Sequence, residues 1–245
     1  MNPQPRIALP ATPLSPEGEG RAAARGGRGV FITLEGGEGA GKSTQSRRLA
    51  ERLRGLGHEV VTTREPGGSP GAEIIRHVLL SGAAKPLGPE AEAVLFSAAR
   101  ADHLDVTIRP ALAQGAVVIC DRFADSTRAY QGAAGSVDHR FIRALEEVTV
   151  GETRPDLTLV LDLPPEDGLA RAEARAPGAA DRFESEAITF HQRLREAFRM
   201  LAQEEPTRCV LIDARADVDT VAARIWQAVE EKLRVRLSLS EAAAP

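Results

Sequence analysis

Gly36-Gly37-Glu38-Gly39-Ala40-Gly41-Lys42-Ser43-Thr44 combines a bendable backbone, a cation and a hydroxyl in one short run. That set of groups suits a triphosphate. Glycines let the chain curve with its N–H groups pointing inward, Lys42 adds a full positive charge, and Ser43 offers a hydroxyl to Mg²⁺. The flanks decide whether this is more than a glycine-rich turn. Val30-Phe31-Ile32-Thr33-Leu34 ahead of it is short, apolar and β-branched, as a buried parallel strand is. Behind it, Gln45 to Arg54 places Leu49 and Leu53 four apart, on one helix face. Strand, Gly-x-x-x-x-Gly-Lys-Ser and helix in that order describe a phosphate-binding loop, and the helix N-terminus adds partial positive charge. The chain has only three lysines, Lys42, Lys85 and Lys232, and one falls where the loop needs it.

The elements that must position this loop follow from pattern. Residues 57–63, 116–120, 157–161 and 208–212 read as further strands, and 72–80, 89–113, 138–148, 165–175, 184–203 and 218–233 have helical spacing, with a Pro-Gly-Ala-Ala break at 177–180. Strands alternating with helices predict an α/β domain: a three-layer, doubly wound, five-stranded parallel sheet. In such a sheet, ligands sit at the carboxyl ends of the strands. Three blocks lie there or close by. Arg64-Glu65-Pro66-Gly67-Gly68-Ser69 ends the second strand, and Asp121-Arg122-Phe123-Ala124-Asp125-Ser126-Thr127-Arg128-Ala129-Tyr130-Gln131 ends the third and holds the only tyrosine. One helix upstream, Phe96 and Arg100 are four apart and share a face. A ring beside a guanidinium suits a flat base; the plainer reading is a core phenylalanine and a solvated charge.

Composition narrows the class. At 245 residues the chain suits one α/β domain, and a net charge of −4 gives no sign of a nucleic-acid surface. Cys120 and Cys209 sit in apolar runs, read as buried thiols, and the five histidines are scattered rather than spaced as ligands. Neither a membrane-spanning run nor a secretory signal is visible, so a cytoplasmic location is expected. Residues 1–28, with five prolines in the first sixteen positions, are expected to form a disordered extension, 29–236 the domain, and 237–245 a flexible tail.

A phosphate loop alone fixes no reaction. No lysine follows an asparagine, which disfavours a GTPase with an Asn-Lys-x-Asp guanine reader. A regulatory ATPase would need a partner surface that the sequence does not display. The blocks Phe-Ile-Thr-Leu-Glu-Gly-Gly-Glu-Gly-Ala-Gly-Lys-Ser-Thr (31–44), Thr-Arg-Glu-Pro-Gly-Gly (63–68), Leu-Phe-Ser-Ala-Ala-Arg-Ala-Asp-His (95–103) and Asp-Arg-Phe-x-x-Ser-Thr-x-Ala-Tyr-Gln (121–131) together resemble bacterial thymidylate kinase. The match runs from about Val30 to Leu233. Another nucleoside or nucleotide kinase of the same core is the alternative. Phe123 stands where the family often has Tyr or His, and Ser69 where Thr is common.

The resemblance implies a fold of the P-loop nucleoside monophosphate kinase type and phosphorylation of dTMP by ATP with Mg²⁺, in a homodimer. It places Gly36 to Thr44 on the ATP phosphates, Lys42 on the β- and γ-phosphates, and Ser43, Asp121 and Glu184 toward the metal. Glu38 would act near the acceptor phosphate through a metal or an arginine. Arg122 would bind the dTMP phosphate, with Arg64 and Pro66 shaping that loop. Arg100 and Phe96 would hold the base, with Ser126, Thr127 and Gln131 on its remaining edge and Tyr130 against the sugar. Arg100 donates hydrogen bonds that thymine O4 accepts, whereas cytosine presents an amino donor there. The P-loop itself contains no arginine. A lid at about 168–183 supplies Arg171, Arg175 and Arg182, which are expected to reach the ATP phosphates on closure.

Overall fold

The computed structural model describes residues 28–175 and 182–239. Five apolar runs form β1 (Val30–Gly36), β2 (Val60–Arg64), β3 (Val117–Asp121), β4 (Leu157–Asp162) and β5 (Cys209–Asp213). They make one parallel sheet in the order β2-β3-β1-β4-β5. The helices are α1 (Lys42–Gly55), α2 (Pro70–Leu80), α3 (Pro89–His103), α4 (Arg109–Ala113), α5 (Ala124–Thr127), α6 (His139–Thr149), α7 (Pro165–Arg175), α8 (Ile188–Glu204) and α9 (Val218–Leu233).

Strand alternation sorts the core into layers. Ile32, Leu34, Ile119 and Leu159 point to the side of α1 and α9, where they meet Leu53, Ile225 and Val229. Phe31, Val118 and Cys120 point the other way, onto Leu104, Ile108 and Phe123. Every residue of β1 is buried, because the strand is central and covered on both faces. The α/β architecture and its five strands match the sequence expectation, and 165–175 and 218–233 are helical over the expected spans.

Four details differ. The helix expected over 89–113 is interrupted by a wide π-type turn, Leu104–Ile108, just ahead of Pro110. Proline has no N–H for the carbonyl four residues back and its ring crowds it, so the helix widens there. Residues 124–134, not read as helix because they are small and polar without apolar period, form α5 and a second π-type turn, Arg128–Ala134. A bidentate ion pair from Arg208 (2.7 and 2.8 Å) anchors α5 through the buried Asp125. The helix expected from Glu184 begins at Ile188. The expected boundary at 236 falls short as well: Leu237 is buried in the core and Leu239 packs against it. The 177–180 break and most of the expected hinge lie outside the described residues.

Candidate active site

Strand register assembles the site before any side chain is considered. Leu34 at the end of β1 lies opposite Asp121, and Asp121 lies opposite Arg64. The P-loop, the Asp-Arg block and the Arg64 loop therefore share one edge of the sheet, around a cleft of about 280 Å³.

In the P-loop, Gly41 adopts φ 93° as it enters α1. Lys42 Nζ donates to the carbonyls of Gly36 (3.1 Å) and Gly37 (2.7 Å). Burial and then the Arg122 charge bring the Lys42 ammonium down to about 8, against the pull of Glu38 and Asp121. It stays charged at neutral pH. Glu38, Gly39, Gly41, Lys42, Ser43 and Thr44 line the cleft, while Gly36, Gly37 and the buried Ala40 support it from behind. The tip meets the first turn of α7 backbone to backbone: a Cβ on Gly39 would lie 1.9 Å from Gly168 O, and one on Gly168 2.3 Å from Glu38 O.

Ser43 Oγ donates to Asp121 Oδ2 at 2.5 Å, so two of the three expected metal ligands are adjacent. Among the described residues no cluster of three or more His, Cys, Asp or Glu could hold a metal. That donor set fits Mg²⁺, which keeps several waters and binds through one or two protein oxygens plus substrate phosphates. Glu184 lines the same cleft but is paired with Arg175 at 3.6 Å.

Arg122 sits in the left-handed region, φ 68°. Its guanidinium donates to Gly36 O (3.0 Å) and Glu38 Oε1 (2.8 Å) and lies 5.0 Å from the Tyr130 ring centre. The Tyr130 hydroxyl donates to the same Glu38 oxygen. Burial would raise the Glu38 carboxyl, but Arg122 and Lys42 outweigh it and hold the group down to about 2. Glu38 is thus ion-paired to Arg122, the contact that an arginine-mediated role would need. The unusual backbone at Arg122 is fixed from both sides. Its N–H donates to Leu34 O (2.9 Å), and the following turn is gripped by Glu35. Glu35 Oε1 accepts from the N–H groups of Phe123 (2.8 Å) and Ser126 (3.2 Å), and Ser126 Oγ contacts Oε2 at 2.6 Å.

Glu35 is fully buried, and burial, with Asp125 adding to it, pushes its carboxyl up to about 7. The folded protein therefore keeps a proton that the unfolded chain releases near its ordinary 4.5, so stability falls as pH rises from about 4.5 to about 7. Glu38 works the opposite way: its stabilisation is present above 4.5 and is lost as pH falls toward 2. Glu35→Gln cannot ionise and can still accept the two N–H bonds. Thermal melts of variant and wild type are expected to diverge in the variant's favour as pH rises through that window. A pH-independent gap between the two would contradict the burial of an ionisable Glu35.

On the opposite wall, Phe96 and Arg100 share the α3 face as expected, and both line the cleft. Arg100 is not a solvated charge. Its Nε donates to Glu65 Oε2 (2.8 Å) and Nη2 to Phe123 O (3.2 Å) and Thr127 Oγ1 (3.0 Å). The second Glu65 oxygen meets His103 Nδ1 at 3.1 Å. Arg100 is therefore locked in place, and it lines the cleft together with Ser126, Thr127, Tyr130 and Gln131. Phe123, where a polar residue is common, is fully buried and stacks edge-on against Phe31. Arg64 pairs with Glu73 (3.0 Å), and Arg76 donates to Pro66 O (2.5 Å), holding the loop around Pro66.

The three lid arginines separate. Arg175 lines the cleft, Arg171 Nη1 lies 3.4 Å from Ala214 O, and Arg182 pairs with Glu92 of α3 at 3.0 Å. Sequence reasoning missed Glu35, Glu65, Arg76 and Phe183. A carboxylate at the end of an otherwise apolar strand was the available signal for Glu35; Arg76 has none, since its role rests on a carbonyl ten residues away.

A family model described as "Thymidylate kinase" matches residues 34–225. The chain belongs to the thymidylate kinase family. It is 61% identical over 208 residues to a thymidylate kinase of Bradyrhizobium diazoefficiens, covering 84% of this chain and 91% of that one. A thymidylate kinase of Caulobacter vibrioides is 59% identical over 206 residues, 84% of this chain and 98% of the relative. The crystal structure of a thymidylate kinase from Ehrlichia chaffeensis superposes with a TM-score of 0.67 at 33% identity, covering 83% of this chain and 99% of that one.

Proposed function

We infer that the chain catalyses the ATP-dependent phosphorylation of dTMP to dTDP. ATP would lie along the P-loop and dTMP between Phe96 and Arg100. The observation that carries this reading is the two-walled cleft: a phosphate cradle on one side and a buried, pre-positioned guanidinium beside an aromatic ring on the other. Phosphoryl transfer needs two anions held in line and their shifting charge neutralised. Lys42 and the loop N–H groups would hold the β- and γ-phosphates. Arg122, kept in place by Glu38, Gly36 O and Glu35, would hold the acceptor phosphate. Ser43 and Asp121 would hold Mg²⁺, which when bound neutralises phosphate charge. Arg175, and Arg171 beside it, would close over the triphosphate.

The base wall supports thymine. Arg100 presents donors to O4, and a cytosine amino group there would leave a buried donor unpaired, at a cost of about 1–3 kcal/mol. Tyr130 lies beside Glu38 and Arg122, consistent with contact to the sugar near the acceptor phosphate. Arg100→Ala is expected to lower kcat/KM for dTMP by about 10²-fold, while ATP affinity changes less than about twofold. Equal losses for both substrates would overturn the assignment of this wall to dTMP.

We also take residues 29–239 as the kinase domain, after an N-terminal extension. A homodimer is part of the same reading. α2, α3 and α6 pack side by side and leave Ile74, Val94 and Val148 exposed, as an apolar self-association face would. No described helix is long and apolar enough to cross a membrane. A cytoplasmic location accords with two phosphorylated metabolites as substrates.

A further inference from the structure

Arg182 stands at the far end of the lid, yet its charge is directed away from the triphosphate. Its guanidinium meets the Glu92 carboxylate of α3 at 3.0 Å, with both side chains largely buried, and it does not line the cleft. It also lies 4.3 Å over the ring of Phe183. Phe183 does line the cleft, and it packs against the two aromatic side chains of the acceptor side, Phe96 (6.1 Å between centroids) and Tyr130 (5.4 Å, edge-on). On its other side, Glu92 is close enough to Gln131, a buried residue that lines the cleft, to interact with it. A second tie, Lys85 to Glu186 at 3.3 Å, holds the same turn to the segment before α3.

The Arg182–Glu92 pair is close but incompletely bonded. The contact runs through Arg182 Nη2 and Glu92 Oε1, and it leaves Arg182 Nε buried with no hydrogen-bond partner. An unmet buried donor is a cost that fold stability alone does not explain.

We propose that Arg182 is a positioning residue for dTMP rather than a phosphate ligand. Through its ion pair with Glu92 it pins Phe183 as a wall of the base pocket. This rests on the reading that the Phe96–Arg100 wall receives dTMP.

The test measures dTMP binding by calorimetry without ATP, together with KM for each substrate, in wild type, Arg182→Ala, Arg182→Lys, Glu92→Gln and the Arg182→Ala/Glu92→Gln double variant. Glu92→Gln keeps the shape but removes the charge, which guards against a variant that fails to fold. Arg182→Ala and Glu92→Gln are each expected to weaken dTMP binding about tenfold, and the double variant no more than either alone, since both break one contact. Arg182→Lys is expected to fall between wild type and Arg182→Ala, and KM for ATP to stay within about twofold. Unchanged dTMP affinity in Arg182→Ala would overturn the proposal. So would a raised KM for ATP in Arg182→Ala with Glu92→Gln silent, which would return Arg182 to the triphosphate. Wild-type protein that binds ATP but not dTMP would instead refute the assignment of the base wall, a result separate from either.

Discussion

Arg122→Ala is expected to lower kcat/KM for dTMP by about 10³-fold. Three effects act in the same direction. The variant loses the guanidinium proposed to hold the acceptor phosphate. It also leaves Glu38 buried without its cation: the carboxyl is held near 2 chiefly by Arg122 against burial, so without that charge it moves upward and its hold on the cleft wall weakens. The backbone, finally, is set at φ 68° by Leu34 O and Glu35, and alanine adopts that conformation only under strain. Arg122→Lys keeps a charge but not the fork that spans Gly36 O and Glu38, and an intermediate loss is expected. Steady-state kinetics at saturating ATP reads both variants. A loss below about tenfold for Arg122→Ala would mean that another group carries the acceptor phosphate.

The second large effect belongs to the lid. Between Gly37 and Gly41 the P-loop offers Glu38, Gly39 and Ala40, so the charge that develops on the transferred group must be met from outside the loop. α7 is placed to meet it. Its first turn touches the loop at Gly168, and Arg171 and Arg175 follow by three and seven residues, on the same helix face. Their present contacts are loose: Arg171 at 3.4 Å from a carbonyl, and Arg175, largely exposed, at 3.6 Å from Glu184. Both can be exchanged for phosphate oxygens at little cost. An interaction made mainly in the transition state appears in kcat more than in KM. The Arg171→Ala/Arg175→Ala double variant is expected to lose about 10²- to 10³-fold in kcat at saturating ATP and dTMP, with smaller losses in each single variant. Turnover close to wild type in the double variant would remove the lid arginines from the account.

How much of this was legible in the sequence depended on how local each device is. The P-loop was fully legible because its chemistry lies in nine consecutive residues whose spacing is the mechanism. The strands were legible because burial on both faces demands continuous apolar runs. Arg122 was named from its motif, but the reason it works was not visible. Glu35 is about ninety positions away in the chain and meets Phe123 and Ser126 only through sheet register. Phe96 and Arg100 were found by helical spacing, whereas the partners that lock Arg100, Glu65 and Thr127, lie on two other segments. Arg182 shows the limit of counting charges. Its position in the lid suggested a phosphate contact, and only its buried partner Glu92, ninety residues earlier, shows that its charge is already paired with α3. Residues 124–134 were missed as helix because their stability comes from Asp125 meeting Arg208 and not from an apolar stripe.

The central claim is that one wall of the cleft takes ATP and the other takes thymine in particular. Initial rates of ADP formation with ATP and Mg²⁺, measured across dTMP, dUMP, dCMP, dGMP and UMP, test it most directly. Turnover with dTMP is expected to lead in kcat/KM, with dCMP at least about tenfold lower because its amino group opposes Arg100. dCMP or dGMP turned over as well as dTMP, or ATP hydrolysed at the same rate with no acceptor present, would contradict it.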